Sequence, residues 1–145
     1  MGLLSSDQHN AITIEALWQC GIAPALLRKL AWATAAADWT PSWNESQSVM
    51  NPSWHAMRGL ETPELAQVAT EGFIREQMAK GTIESMGRAI HAAQDSAAGG
   101  HQGYQRYTGS FDLRHFLQDV FPSQAERRKA IERTRELFKE CECKR

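Results

Sequence analysis

The stretch TIESMGRAIHAAQDSAA, residues 82 to 98, constrains the fold most. Ile83, Met86, Ile90, Ala93 and Ala97 recur at three- and four-residue steps, the period of a helix with one face turned to a core. On such a helix His91 and Asp95 lie one turn apart and project from the same face. Ionisable side chains are costly to bury, so an imidazole and a carboxylate in this plain setting ask for a partner. Gly99 and Gly100 then stop the helix, which lets the chain turn back and bring His101 toward the same space. Two readings follow: a pair that grips a divalent metal from one helix face, or a surface hydrogen bond.

The remaining segments have the same period. A first helix is expected from Ser6 or Asp7 through ITIEALWQC, ending near Gly21, and a second over PALLRKLAWATAAADW, opened by Pro24 at a tolerated first-turn position. Thr62 and Pro63 open a third in TPELAQVATEGFIREQMAKG, and SFDLRHFLQDVF forms a short one before Pro122. Ser123 to Glu126 has the form of a capping box that opens the last. Residues 40 to 59, rich in Pro, Asn, Ser and Trp, are expected to be irregular, and a loop of that length usually has a functional purpose. No convincing apolar alternation is present, so the expected fold is all-α, a single-domain bundle of about six helices.

Composition sets limits on function. The chain has 145 residues, enough for one domain over 1–145, and a formal charge of −1, so it has no broad basic surface for holding duplex nucleic acid. The segment QAERRKAIERTRELFKECECKR interleaves Glu with Arg and Lys at helical spacing, as a solvated, ion-paired face does. Cys20, Cys141 and Cys143 have neither a disulfide framework nor zinc-knuckle spacing and are expected to be incidental. Trp18 and Trp32, among Leu17, Leu27 and Leu30, are assigned to the core. No apolar run is long enough to span a membrane, and the first residues lack a signal peptide's charged and apolar regions.

Counting every histidine strengthens the metal reading. The five are His9, His55, His91, His101 and His115, and His115 begins a second His-x-x-x-Asp pair with Asp119. Asp38, where the second helix gives way to the loop, adds a carboxylate. Helices of a bundle project such ligands inward from several directions. For any single histidine the alternative is an ordinary hydrogen-bonded polar residue.

The ladder His91-x3-Asp95-x5-His101, then thirteen residues and His115-x3-Asp119, resembles the zinc-dependent phospholipase C family. Its relatives, the zinc-dependent single-strand-preferring nucleases, share that family's all-α fold with three zinc ions in a cleft. The spacing follows the phospholipases, whereas the final Asp119 in place of Glu is nuclease-like. The resemblance implies one ion held by Asp38, His55, His91 and Asp95, and a second by His101, His115 and Asp119. A third would be held by His9 with Asp95 as a bridge. The family completes that third site with an N-terminal tryptophan, which this sequence lacks before His9, so another group such as Asp7 would have to serve. The chain is also short for the family, as a catalytic module of a longer secreted, translocated or toxin-like protein would be.

The chemistry implied is zinc-assisted phosphodiester hydrolysis with two or three Zn2+ ions and a phospholipid or membrane-surface substrate. Asp38 is the candidate for orienting or deprotonating the attacking water; its alternative role is a helix-end cap. Trp39, Trp43 and Trp54 would either line a substrate cleft, Trp43 and Trp54 contacting substrate, or pin the long loop to the bundle. Tyr104, Tyr107 and Arg106 divide likewise between head-group contact and loop packing. Two other functions stay open: a nuclease acting on single-stranded nucleic acid, and a non-enzymatic helical adaptor that binds metal structurally or not at all.

Overall fold

The computed structural model describes residues 2–40, 43–46, 48, 50–97, 104, 123–139 and 141. Within them the fold is all-α, with no strand. The helices are α1 (Gly2–Leu17), α2 (Pro24–Ala36), the four-residue α3 (Trp43–Ser46), α4 (Pro63–Lys80), α5 (Ile83–Asp95) and α6 (Gln124–Glu136). A 3-10 turn covers Pro52–His55. The expected helix over residues 110–121 and the glycine turn at 99–100 lie outside the described residues.

Local chemistry accounts for most boundaries. Thr62 accepts the Leu65 amide and Pro63 begins α4, while Gly81, at φ +69°, closes it in the left-handed conformation that a residue without Cβ adopts cheaply. Reciprocal capping boxes open α5 at Thr82 and Ser85, and α6 at Ser123 and Glu126. Helix α1 starts at Gly2, earlier than Ser6 or Asp7. The 40–59 segment is also less irregular than its composition suggests, since it contains both α3 and the 3-10 turn.

Helix α5 is central, touching α1, α2, α4, α6 and the 3-10 turn. Its small residues make this possible. A Cβ on Gly87 would sit 2.7 Å from both the Cβ and the carbonyl carbon of Ala33, so α2 and α5 cross where only glycine fits. Ile90 and Ala97 face a core shared with Ile12, Leu17, Leu27, Leu30 and Ile131. Ala89, Ala92 and Ala93 meet Ile74 on another side. A helix enclosed this way buries its polar residues too, and His91, Gln94 and Asp95 are all buried.

Two sequence expectations are corrected. Trp18 and Trp32 are 61% and 68% exposed, because the inward stripe of α2 is Leu27, Leu30, Ala31 and Thr34, and Trp18 falls just beyond the end of α1. Cys20 and Cys141 are not incidental: they form a disulfide across 121 positions that ties the end of α1 to the chain beyond α6. The ion-paired face expected of α6 is present, with Arg133 beside Glu136 and Arg135 beside Glu132, and its arginines also reach other helices. Arg127 pairs with Glu15 of α1 and Arg133 with Glu71 of α4, and Arg135 Nε donates to the Ala16 carbonyl at 3.0 Å.

Candidate metal centre

Four segments deliver the ionisable residues to one place. His91 and Asp95 come from consecutive turns of α5, His9 from α1, Asp38 from the end of α2, and His55 from the last position of the 3-10 turn. Two details hold the last pair. The Ser46 hydroxyl donates to the backbone carbonyl of Asp38, while the carbonyl of Ser46 lies 3.0 Å from His55 Nε2. Ala56, next to His55, has φ +49°, a left-handed conformation that costs an L-residue about 1–2 kcal/mol and persists only where packing enforces it. Ala56 is fully buried.

The inward atoms are closely spaced. His91 Nε2 lies 3.2 Å from Asp95 Oδ2, 3.5 Å from Asp38 Oδ1 and 3.3 Å from His55 Nδ1. His55 Nδ1 lies 3.3 Å from Asp95 Oδ2 and 3.8 Å from Asp38 Oδ1. These are five of the six edges of a four-atom cluster. Tetrahedral ligands at ~2.0–2.1 Å from a zinc ion stand ~3.3–3.4 Å apart, and Asp38, His55 and His91 lie close enough together to hold one such ion. On the other side of Asp95, His9 Nε2 approaches Oδ1 at 3.2 Å, and the His9 and His91 rings stack with centroids 4.0 Å apart. His9, His91 and Asp95 thus make a second group able to hold a metal, sharing His91 with the first, while the two oxygens of Asp95 face His9 on one side and His55 and His91 on the other.

Hydrogen bonding decides which nitrogens face inward. His91 Nδ1 donates to the Thr34 carbonyl at 3.0 Å and His55 Nε2 to that of Ser46, since a carbonyl only accepts. In the neutral imidazoles the inward nitrogens are therefore bare, and two lone pairs meet two carboxylate oxygens. Four acceptors at contact distance repel unless a cation or protons lie among them. The effect on His91 is direct. Burial disfavours its charged form, but the carboxylates of Asp95 and Asp38 outweigh that and raise its pKa above the ordinary histidine value.

Gln94 performs the same service for His9, and sequence reasoning missed it. Its amide nitrogen donates to Thr13 Oγ1 at 2.9 Å and Thr134 Oγ1 at 3.1 Å. Both hydroxyls spend their own protons on backbone carbonyls, Thr13 on His9 and Thr134 on Ala130. That fixes the amide's orientation, so Gln94 Oε1, 2.8 Å from His9 Nδ1, accepts its proton and leaves Nε2 bare toward Asp95. A Thr-x-x-x pattern on two distant helices gives no local signal for this convergence.

The structure thus brings together His9, Asp38, His55, His91 and Asp95. His101, His115 and Asp119 lie outside the described residues, as do Tyr107 and Arg106. Asp7 is exposed on α1. Trp43 belongs to α3, with its side chain outside the described part. Trp54 packs as a loop anchor: its ring stacks on Phe73 of α4 at 6.0 Å, and the Arg88 guanidinium lies 5.2 Å above it. Tyr104 is half-buried, and burial and the Glu71 carboxylate raise its phenol pKa against the opposing effect of Arg133. No helix of the described residues is long and apolar enough to cross a membrane. Compared with protein-family models, curated proteins and solved structures, the chain matches none.

Proposed function

We propose that the protein is a zinc-dependent phosphodiester hydrolase, resembling the phospholipase C family, that cleaves phospholipids between glycerol and phosphate. One observation carries the reading: the inward nitrogens of His55 and His91 lie 3.2 to 3.8 Å from each other and from carboxylate oxygens of Asp38 and Asp95, with the outer nitrogens of both histidines committed to backbone carbonyls. Nitrogen and oxygen donors without thiolate suit a zinc ion that keeps positions open for reaction. Zinc bound there would neutralise phosphoryl oxygens, lower the pKa of an attacking water from ~15.7 toward ~7 and stabilise the leaving oxygen.

The chain's own groups divide the remaining work. Asp95 uses both carboxylate oxygens, one toward His9 and one toward His55 and His91, so it would help to hold metal on both sides. Asp38 is the less enclosed carboxylate, its side chain 12% exposed against 6% for Asp95. It is the group placed to orient a water and accept its proton. The near-neutral charge favours a lipid substrate over nucleic acid, and the Cys20–Cys141 disulfide agrees with a secreted or translocated protein.

The test is metal analysis of protein purified without added zinc, followed by assays on phosphatidylcholine vesicles and on single-stranded DNA, each with and without EDTA. Two or three zinc equivalents and EDTA-sensitive release of phosphocholine are expected. Cleavage of DNA alone would replace the lipid substrate with nucleic acid. Zinc that supports stability without turnover of either would leave a structural adaptor.

A further inference from the structure

We propose that a groove between α2 and the start of α5 docks the protein on an anionic lipid surface, with Arg28 and Lys29 receiving the lipid phosphates. The groove has a volume of about 790 Å³ and runs along the edge of α2 that meets α5, between the buried Ala33 and Ala36 and the exposed Ala25, Arg28, Lys29 and Trp32. Ala25, Lys29, Trp32 and Ala36 recur there at four- and three-residue steps, whereas Leu27, Leu30, Ala31 and Thr34 point inward. Its floor is apolar and shallow, formed by Ala25, Ala33, Ala36 and Ile83. Trp32 stands at its side, about two-thirds exposed.

Charge identifies the occupant. Arg28 and Lys29 are adjacent, exposed and without an ion pair to any described residue, whereas Arg88, Arg127, Arg133 and Arg135 each meet a carboxylate. The groove's acidic residue, Glu84, is engaged by Arg88 at 2.5 Å. Two cations with no ion pair among the described residues, beside an apolar floor, match a phosphate joined to hydrocarbon. A tryptophan in water is costly, but at the head-group level of a bilayer its ring is well accommodated. A small soluble anion would occupy the groove and still leave most of Trp32, and the partly exposed Leu26 beside Lys29's turn, in water; a bilayer interface covers them.

Thr40 also lines the groove, and Asp38 lies two residues before it, so docking here brings lipid to the end of α2 that carries the metal centre. The inference extends the phospholipase reading, yet binding can be measured without turnover.

The experiment is co-sedimentation of the metal-free, full-length chain with vesicles of phosphatidylcholine alone and with vesicles of equal phosphatidylcholine and phosphatidylserine. Binding to the mixed vesicles is expected, weakening with added salt. The double variant Arg28→Gln/Lys29→Gln should partition about 30-fold less, from about 1 kcal/mol per cation at an anionic surface. Trp32→Ala, which leaves the charge intact, should also weaken it. All three positions are exposed, and unfolding curves matching the parent's verify that the variants fold. Binding unchanged in both variants, equal binding to uncharged vesicles, or no binding by the parent chain overturns the proposal. Hydrolysis by the zinc-loaded protein although the metal-free chain binds no vesicles overturns the docking alone; vesicle binding by the metal-free chain together with no hydrolysis by the zinc-loaded protein overturns the phospholipase reading alone.

Discussion

Replacing Gln94 with leucine separates metal binding from folding. Leucine keeps much of the volume but removes the acceptor at 2.8 Å from His9 Nδ1 and the two donors to Thr13 and Thr134. Both threonines keep the bonds they donate to backbone carbonyls, so neither hydroxyl proton is orphaned. In the metal-free chain the His9 proton can move to Nε2, where Asp95 Oδ1 waits at 3.2 Å, and the loss is held to about 1–2 kcal/mol. With metal present that escape is closed, because Nε2 must offer its lone pair. Loss of such an outer partner weakens metal binding by ~10- to 100-fold, a further ~1.4–2.8 kcal/mol. Competition of zinc against a chromophoric chelator reads the affinity, and urea unfolding with and without saturating zinc reads the stability. The variant should show a larger deficit with zinc than without. Equal deficits together with unchanged zinc affinity would refute the proton assignment at His9.

Three further outcomes are expected. Gly87→Ala should destabilise the fold by about 1–2 kcal/mol in denaturant titrations, because overpacking against the Ala33 backbone outweighs alanine's helical advantage; a stabilised variant would mean that α2 and α5 part easily. Cys20→Ser should cost about 2–5 kcal/mol in unfolding measurements, since the bridge closes a loop of 121 positions and restricts the unfolded chain; reduction should have no effect on that variant. In the metal-free protein, protonated His91 contributes stability that is fully present below the ordinary histidine pKa of about 6.5 and lost as pH rises through its raised value in the folded state. Melting temperatures compared with His91→Gln should converge as pH increases, and a gap independent of pH would refute that coupling.

Much of the secondary structure was legible because its causes are local. The caps at Thr62 and Ser123, the proline opening α2 and the apolar steps of α5 each act within one or two helical turns. Trp18 and Trp32 misled because adjacent positions on a helix differ by about 100° in direction, so a tryptophan among leucines need not share their face. The bias of residues 40–59 toward loop formers concealed α3, whose Ser46 links the Asp38 and His55 segments by two hydrogen bonds that no spacing rule announces.

At the candidate metal centre, sequence by itself determined the donor inventory: helical spacing puts His91 and Asp95 on one face, and the other histidines and Asp38 stand as candidate ligands. Only tertiary packing decided which of them meet, which nitrogen each imidazole turns inward, and that Cys20 bonds Cys141. The physical reason is range. Periodicity and capping act over a few residues, whereas a tautomer set by Gln94, itself held by threonines from α1 and α6, depends on contacts between helices that the chain order keeps far apart.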